Sequence, residues 1–171
     1  NLAQRLENDA DHTKNAIRII QTKFGINSSQ AKVARFNISS AINGALKSSA
    51  IEGIADGIEI NVSGSDFSIR ADEGSVIHIF INLIKNAIEA LVNTTNPKIT
   101  IYINFSNNSI SLIDNGKGIP PSVLKQIFDE DFTTKADGKG KGLYFCKMVI
   151  ELFGGNIHCK SVPGQTEFTL N

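Results

Sequence analysis

The sequence predicts an α+β fold, a two-layer α/β sandwich in which helices cover one face of a mixed, mainly antiparallel sheet. Strand-like segments come in pairs joined by short polar turns, and helix-like segments lie between the pairs rather than between successive strands. The length of 171 residues suits one core of ordinary size with a short appendage.

The composition excludes several classes of protein. The 17 Lys and Arg residues balance 17 Asp and Glu residues, so no overall charge attracts nucleic acid and any anion site must be local. Cys146 and Cys159 lack the number and spacing of a disulfide scaffold or a zinc ribbon. The sequence has neither a signal peptide nor the run of ~18 apolar residues that a membrane span requires. We therefore expect a soluble, cytoplasmic piece of a longer protein.

The first element is a helix with an apolar seam at alternating spacings of four and three. The seam residues are Leu6, Ala10, Thr13, Ile17, Ile20 and Phe24. One helix cannot bury such a seam alone, so residues 1–30 are predicted to belong to a helical bundle and residues 31–171 to form the main domain. A helix folded onto its own domain is the alternative.

The next elements are a helix, a strand pair and a long helix. The short helix spans about Ser40 to Lys47, and the strands Ile58 to Val62 and Phe67 to Arg70 are predicted to pair through the turn at residues 63–65. Asp72 caps the long helix, which runs to about Leu91. Its apolar face comprises Val76, Phe80, Leu83, Ala87 and Leu91.

In the second half of the chain, helices again lie between pairs of strands. Asn107 and Asn108 tolerate the positive φ of a tight turn between two strands. Glycines 154 and 155 end the last helix. The predicted elements are strands at 98–105 and 109–113, a short helix from Pro120 to Phe128, a polar lid at 129–141, a helix at 143–153, and strands at 156–161 and 166–170.

Two asparagines lie four residues apart on one face of the long helix, Asn82 and Asn86. Asparagine is a poor helix former, so two of them in an otherwise apolar helix need a reason. Their amide oxygens suit a magnesium ion, which prefers oxygen ligands. A solvated stripe is the alternative.

The segment Asp114–Gly118 follows a predicted strand directly. A carboxylate there can accept a hydrogen bond from an exocyclic amine such as that of adenine, and Gly116 and Gly118 let the backbone approach a flat ring. A plain turn is the alternative, because Asp-Asn-Gly is common in turns.

A glycine-rich stretch, residues 138–143, leads into the last helix and offers free backbone N–H groups to an anion. Lys135, Lys139 and Lys141 add positive charge. No Gly-Lys pair precedes Ser or Thr, and the glycines do not follow a strand, so neither a Walker loop nor a dinucleotide fingerprint fits. A flexible linker is the alternative.

Taken in chain order, these segments resemble the N, first glycine, F and second glycine boxes of the ATP-binding domain of sensor histidine kinases, a branch of the GHKL superfamily. The matching residues are Asn82 and Asn86, Asp114 with Gly116 and Gly118, Phe128 with Phe132 to Lys135, and Gly138 to Leu143. The resemblance covers about residues 37–171, and the preceding helix resembles the second helix of that family's dimerisation hairpin.

The resemblance implies a Bergerat fold that binds ATP with Mg²⁺ beneath a mobile lid. Asp114 would contact adenine, Asn86 would bind Mg²⁺ with Asn82 beside it, and the loop at Gly140 and Gly142 would contact the phosphates. The implied catalytic residues are Asn82, Asn86 and Lys135. The implied nucleotide-binding residues are Asn82, Asn86, Asp114, Gly116, Gly118, Ile119, Phe128, Thr133, Thr134, Lys135, Gly138, Lys139, Gly140, Lys141, Gly142, Leu143 and Thr166.

Asn82 separates branches of this superfamily. Gyrase, mismatch-repair and heat-shock ATPases and anti-sigma-factor serine kinases have a glutamate there as a base. Asparagine implies slow hydrolysis and transfer of the γ-phosphoryl group to a histidine, which is already nucleophilic as free imidazole. His12 is followed by Thr13 rather than an acidic residue, so the acceptor histidine is expected elsewhere. A GHKL ATPase or serine kinase and a degenerate nucleotide-binding module are the alternatives.

The resemblance also implies partners. These are the protein's own dimerisation hairpin with the phosphoacceptor histidine, a second copy in a homodimer, and a response regulator or attached receiver domain, with no nucleic acid. The parent protein is expected to be anchored in the inner membrane. Residues 145–168 are similar to kinases that sense diffusible quorum-sensing autoinducers. Two residues depart from the family pattern: Glu89 stands where some members have a lysine or arginine, and Asp131 stands where the family often has a second phenylalanine.

Overall fold

The computed structural model describes the backbone of residues 2–25, 31–136 and 138–171, and the side chains from residue 11 onward within those ranges. The helices are α1 (Leu2–Lys23), α2 (Ile38–Leu46), α3 (Ser49–Glu52), α4 (Glu73–Ala90), α5 (Pro121–Leu124) and α6 (Gly142–Leu152). The strands are β1 (Val33–Asn37), β2 (Glu59–Gly64), β3 (Ser68–Asp72), β4 (Lys98–Asn104), β5 (Ser109–Asp114), β6 (Ile157–Val162) and β7 (Gln165–Leu170). Within the described ranges, none of these helices is both long and apolar enough to cross a lipid bilayer.

The main sheet has five strands in the order β2-β4-β5-β7-β6. β2 runs parallel to β4, and the other three pairs are antiparallel. Alternate residues of β4, Ile99, Ile101 and Ile103, are buried, whereas Tyr102 between them is exposed. One face of the sheet therefore packs on helices, and the predicted two-layer α+β fold is confirmed.

The long helix α4 lies at the centre of the helical layer. Its cap is the predicted one, because the Asp72 carboxylate accepts a hydrogen bond from the Ser75 N–H at 2.9 Å. Phe80 and Leu83 on its apolar face are fully buried, and α4 packs against both α2 and α6. Because this apolar face is buried, the polar residues on the other side of α4, which include Asn82 and Asn86, point away from the core.

The predicted strand pair at 58–62 and 67–70 was wrong. β2 pairs with β4, while β3 pairs with β1 in a separate two-stranded sheet. No tight turn forms at residues 63–65 because the ladder continues through them: Ser65 N–H donates to the Ile103 carbonyl at 2.9 Å. Asp66 then turns the chain towards α2 by accepting hydrogen bonds from the amide and hydroxyl of Ser39.

The other predicted elements differ mainly in their ends. The Asn107–Asn108 turn is confirmed, since Asn108 has a φ of 50°. Gly154 ends α6 with a φ of 80°. The helix predicted to reach Phe128 was too long, because α5 ends at Leu124 and a turn follows.

The predicted N-terminal helix is present as α1, and its second half packs on the domain. Ile17 and Ile20 are buried, and Phe24 lies 5.2 Å from the Phe145 ring of α6. Gln21 donates to the Asp72 carboxylate at 3.2 Å. This part of the seam is therefore covered by the chain's own domain. The side chains of Leu6 and Ala10 lie outside the described residues, and the hairpin assignment stays a prediction.

Candidate functional site

A cavity of about 1320 Å³ opens between α4, the end of the sheet and the start of α6. It lies above the range of about 300–1,000 Å³ that is usual for small-molecule sites, so a nucleoside triphosphate has room. All but two of the residues predicted to bind nucleotide line it. These are Asn82, Asn86, Asp114, Gly118, Ile119, Thr133, Thr134, Lys135, Gly138, Lys139, Gly140, Lys141, Gly142, Leu143 and Thr166.

The two exceptions, Gly116 and Phe128, lie behind the lining. Gly116 N–H donates to Asp114 Oδ1 at 2.9 Å, and a Cβ at this position would lie 2.5 Å from the Ala90 carbonyl oxygen. The Phe128 ring stands edge-on to Phe168 at 6.3 Å, and Phe168 lines the cavity. Both residues therefore support the wall rather than form it.

The polar face of α4 forms one wall of the cavity. Asn82 and Asn86 are both partly buried and line it, which does not fit a solvated stripe. Asn82 lies where α4 meets α6, because a Cβ on Gly142 would lie 3.1 Å from Asn82 Oδ1. Asn82 thus lies beside the N-terminus of α6, and Asn86 lies about one helical turn further along the same wall.

Lys135 reaches α4 from the segment between α5 and α6. Its Nζ donates to Asn86 Oδ1 at 3.0 Å and forms an ion pair with Glu89. Its backbone N–H donates to Thr133 Oγ1 at 3.1 Å. The amide oxygen predicted to bind Mg²⁺ therefore already contacts a cationic group.

Asp114 ends β5 at the deep end of the cavity. Its side chain is 2% exposed, and burial raises its pKa while the Gly116 amide opposes that rise. In the described part of the chain, the Gly116 N–H is the hydrogen-bond donor that this carboxylate has. The carboxylate can therefore accept a further hydrogen bond from a ligand amine.

Thr166 lies opposite Asp114 in the β5–β7 register. Its hydroxyl is 2.8 Å from Ser161 Oγ, and that oxygen accepts a hydrogen bond from the Ile119 N–H at 2.8 Å. Residues of β6, of β7 and of the loop after β5 are therefore joined in one network beside the carboxylate.

The turn after β5 is held on two sides and is more than a plain turn. Lys117 N–H donates to the Ala90 carbonyl at 3.1 Å, and Gly164 N–H donates to the Gly116 carbonyl at 3.0 Å. Gly118 has a φ of +78°, and a Cβ there would lie 2.4 Å from the Val162 carbonyl oxygen. Glycine is therefore required at this position both for φ and for space.

The second glycine segment folds back on the residues before it. Gly140 has a φ of +64°, and a Cβ there would lie 2.2 Å from the Asp131 carbonyl carbon. α6 begins at Gly142, and in the described part of the chain no side chain caps its first turn. Its free N–H groups and its dipole therefore lie at the cavity, where they favour an anion.

The charge of the cavity differs from that of the whole chain. Among the described residues, two carboxylates line it, Glu89 and Asp114. Five lysines line it: Lys85, Lys117, Lys135, Lys139 and Lys141. A neutral chain thus concentrates positive charge around one cavity, which suits a polyanion.

The donors present fit a hard cation held together with phosphates. Among the described residues, no three His, Cys, Asp or Glu side chains form a metal-binding group. Asn86 and Glu89 offer an amide and a carboxylate oxygen on one helical turn. Mg²⁺ commonly takes one or two protein ligands and completes its shell with phosphates and water.

Sequence reasoning missed several lining residues. Lys85 lies on α4 between the two asparagines, where helical spacing would have found it. Ser161, Val162 and Pro163 enter from the β6–β7 turn. No local signal marks these three, because only the sheet register brings them to the loop after β5.

Known proteins resemble both the sequence and the fold. Residues 71–171 match the family described as histidine kinase-, DNA gyrase B- and HSP90-like ATPases. The CAI-1 autoinducer sensor kinase/phosphatase CqsS of Vibrio cholerae serotype O1 is 32% identical over 179 residues, covering 99% of this chain and 26% of the relative. Sensor histidine kinase ZraS of Salmonella typhi is 40% identical over 100 residues, covering 57% and 21%. The chain thus spans about a quarter of such relatives.

Two solved structures share the fold. The catalytic domain of histidine kinase ThkA is 28% identical with a TM-score of 0.69, and the match covers 81% of this chain and 93% of that one. The mycobacterial sensor histidine kinase MprB has a TM-score of 0.71 at 18% identity, covering 81% and 95%.

Proposed function

The chain belongs to the histidine kinase-, DNA gyrase B- and HSP90-like ATPase family, as the ATP-binding catalytic domain of a two-component sensor histidine kinase, and from this premise we propose a binding mode and a reaction. ATP binds with Mg²⁺ in the cavity beside α4, and its γ-phosphoryl group is transferred to a histidine of a dimerisation hairpin. The observation that carries this proposal is the convergence of Asn86, Asp114 and Gly140 on a single lysine-rich cavity.

The base occupies the end of the cavity at β5. Asp114 accepts a hydrogen bond from the exocyclic amine of adenine. Two observations support this role: the carboxylate is buried, and in the described chain it has one amide donor, which leaves room for another. Apolar side chains of the lining cover the two faces of the ring. The apolar side chains of the lining include Ile119, Ile127, Leu143 and Phe168.

The triphosphate lies along α4 towards the N-terminus of α6. The free N–H groups of that helix and the side chains of Lys139 and Lys141 bind phosphate oxygens. Asn86, with Asn82 beside it, contributes an amide oxygen to the cation. The cation, when bound, supplies neutralisation of phosphate charge.

Transfer of the phosphoryl group to a histidine does not require a protein side chain that acts as a base. The neutral imidazole forms a bond to the γ-phosphorus while the bond from that phosphorus to the bridging oxygen breaks, and its electron pair leaves with ADP. The imidazole nitrogen attacks through a lone pair, so no carboxylate is needed to remove a proton first. Asn82 occupies the position of the base in ATPase branches, and Lys135 stabilises the charge of the transferring group. The isolated chain should therefore hydrolyse ATP slowly.

The rest of the parent protein completes the system. In it, α1 continues a dimerisation hairpin that carries the acceptor histidine and forms a homodimer. The phosphoryl group then passes to a response regulator or an attached receiver domain. The similarity to an autoinducer sensor kinase supports a diffusible small molecule as the stimulus.

The test is phosphorylation of an added dimerisation hairpin by the purified chain, alongside titration with a fluorescent ATP analogue. Asn86→Ala should abolish Mg²⁺-dependent phosphoryl transfer, because the cation loses its amide ligand. Asn43→Ala is a matched control, since Asn43 is exposed on α2 and lies outside the lining. Normal transfer by Asn86→Ala, or no binding of the analogue by the parent chain, would overturn the proposal.

A further inference from the structure

Three side chains meet at the phosphate end of the cavity. Lys135 Nζ contacts Asn86 Oδ1 at 3.0 Å and also the carboxylate of Glu89. Asn86 and Glu89 are three residues apart on α4, so their side chains project from the same face. One cationic group is therefore held between an amide oxygen and a carboxylate oxygen.

This arrangement matches the ligand preference of a hard divalent cation. Such ions take carboxylate and amide oxygens together with phosphates and water. Asn86 was expected from the sequence to contact the ion, whereas Glu89 stands where some members of the family have a basic residue. The lysine ammonium marks the point at which the two oxygens converge.

We propose that Asn86 and Glu89 together form a cation-binding pair, which Lys135 occupies in the nucleotide-free protein and leaves when ATP binds with Mg²⁺. Glu89 is thereby a second protein ligand of the cation, directly or through a water molecule. The inference rests on the proposed function for its nucleotide, and it adds the role of Glu89 and the displacement of Lys135.

The displacement is energetically easy. The side chains of Lys135 and Glu89 are 50% and 48% exposed, so their ion pair is screened by water and contributes little to stability. A doubly charged ion brought by the nucleotide replaces a singly charged ammonium at the same oxygens. Lys135 is then free to contact the phosphates, whose charge attracts it.

Glu89 also makes nucleotide binding depend on the cation. A bare triphosphate meets a carboxylate at this point of an otherwise lysine-rich wall, and the two repel each other. With a divalent cation between them, the same carboxylate becomes attractive. Glu89 should therefore favour ATP carrying Mg²⁺ over free ATP.

The first test is calorimetric titration with a non-hydrolysable ATP analogue, with Mg²⁺ and with a chelator. Glu89→Gln should weaken binding in Mg²⁺ and strengthen it in chelator, so that the ratio of the two affinities falls about tenfold. Glu151→Gln is the control, because Glu151 is exposed on α6 outside the lining. An unchanged ratio in Glu89→Gln overturns the inference.

The second test is direct, and its deciding variant, Lys135→Met, does not require Glu89→Gln to fold. Electron paramagnetic resonance measures Mn²⁺ affinity in the complex with the analogue. Lys135→Met should tighten Mn²⁺ binding, since the ammonium no longer competes, and the gain should vanish in the Glu89→Gln/Lys135→Met double variant. Lys125→Met, at an exposed lysine outside the lining, should not change it. An equal or weaker Mn²⁺ affinity in Lys135→Met overturns the exchange.

Two different results separate a failure of the nucleotide site from a failure of the cation-binding pair. If the unmodified chain binds no analogue under either condition, the proposed function itself is wrong. If it binds the analogue, but both variants keep its Mg²⁺ ratio and its Mn²⁺ affinity, the nucleotide site stands and the cation-binding pair does not.

Discussion

The two ends of the cavity are built differently. At the end near β5, Asp114 is buried and the turn that follows is fixed by backbone hydrogen bonds to Ala90 and from Gly164. At the other end, Thr133, Lys135 and Lys139 are exposed. Lys135 contacts α4 only through the ends of side chains in the described structure.

The two ends of the cavity should therefore contribute differently to binding of the nucleotide. The base end is formed before any ligand arrives, because sheet register and backbone bonds determine it. The phosphate end is held by weak, exposed ion pairs and glycine-rich backbone, and it should be completed by the ligand. Changes at the base end should therefore affect affinity or folding strongly, and changes at the phosphate end should be more graded.

The largest effect is expected from Asp114→Asn. The amide donates where the carboxylate accepts, so ATP affinity should fall about 10- to 100-fold by calorimetry. The free energy of unfolding should not fall, because a buried charge is removed. Asp129→Asn, an exposed change outside the lining, should leave both unchanged. Unaltered affinity in Asp114→Asn would break the assignment of the base end.

A pair of glycine variants compares the two ends directly. Gly118→Ala should lower the free energy of unfolding by about 1–3 kcal/mol, because both its φ and the Val162 carbonyl oppose a side chain. Gly140→Ala should lower it less, since the exposed segment around it can shift, while still weakening ATP binding. Chemical denaturation measures this, with Gly53→Ala as a control at ordinary φ and in open space. Equal destabilisation by Gly118→Ala and Gly140→Ala would contradict the difference in rigidity between the base end and the phosphate end.

The buried carboxyl group of Asp114 gives stability one component of its pH dependence. Burial raises its pKa above the ordinary value of 3.8, so the folded state favours the protonated form. Its contribution to stability is fully present below 3.8 and is lost as pH rises through the raised pKa. The stability advantage of Asp114→Asn over the parent should thus be largest near neutral pH and should shrink as pH falls. ATP affinity of the parent should weaken over the same fall in pH, and that of Asp114→Asn should not.

The smallest effect is expected from Lys139→Met. One exposed lysine among five at the cavity should account for only a few-fold loss of ATP affinity. The loss should shrink further as salt is raised, because exposed charges are screened. A titration at two salt concentrations checks this, and a loss as large as that of Asp114→Asn would reverse the order of the two ends.

Local chemistry made much of the fold predictable. Asp72 and the apolar spacing of α4 identified the helix and its start, and Asn108 identified the β4–β5 turn. The small β1–β3 sheet was not predictable. Its strands have five residues each, their burial does not alternate clearly, and their partners are 35 residues apart at Arg35 and Arg70.

The site was predictable where one segment carries its own signal. Asn82 and Asn86, the Asp114 turn and the glycines before α6 each stand out by residue type. The ion pair of Lys135 with Glu89 and the hydrogen bond from Ile119 to Ser161 join segments more than forty residues apart. Such contacts depend on the packed fold, which composition and spacing do not encode locally.

Hydrogen exchange of the backbone amides, measured with and without Mg²⁺ and the ATP analogue, shows where on the protein the nucleotide binds. We predict strong new protection at residues 132–136 and 138–142 and little change at residues 112–118, which are already bonded in the free protein. No new protection at residues 132–136 and 138–142, or new protection on surfaces outside the cavity, would contradict a single nucleotide bound between Asp114 and Asn86.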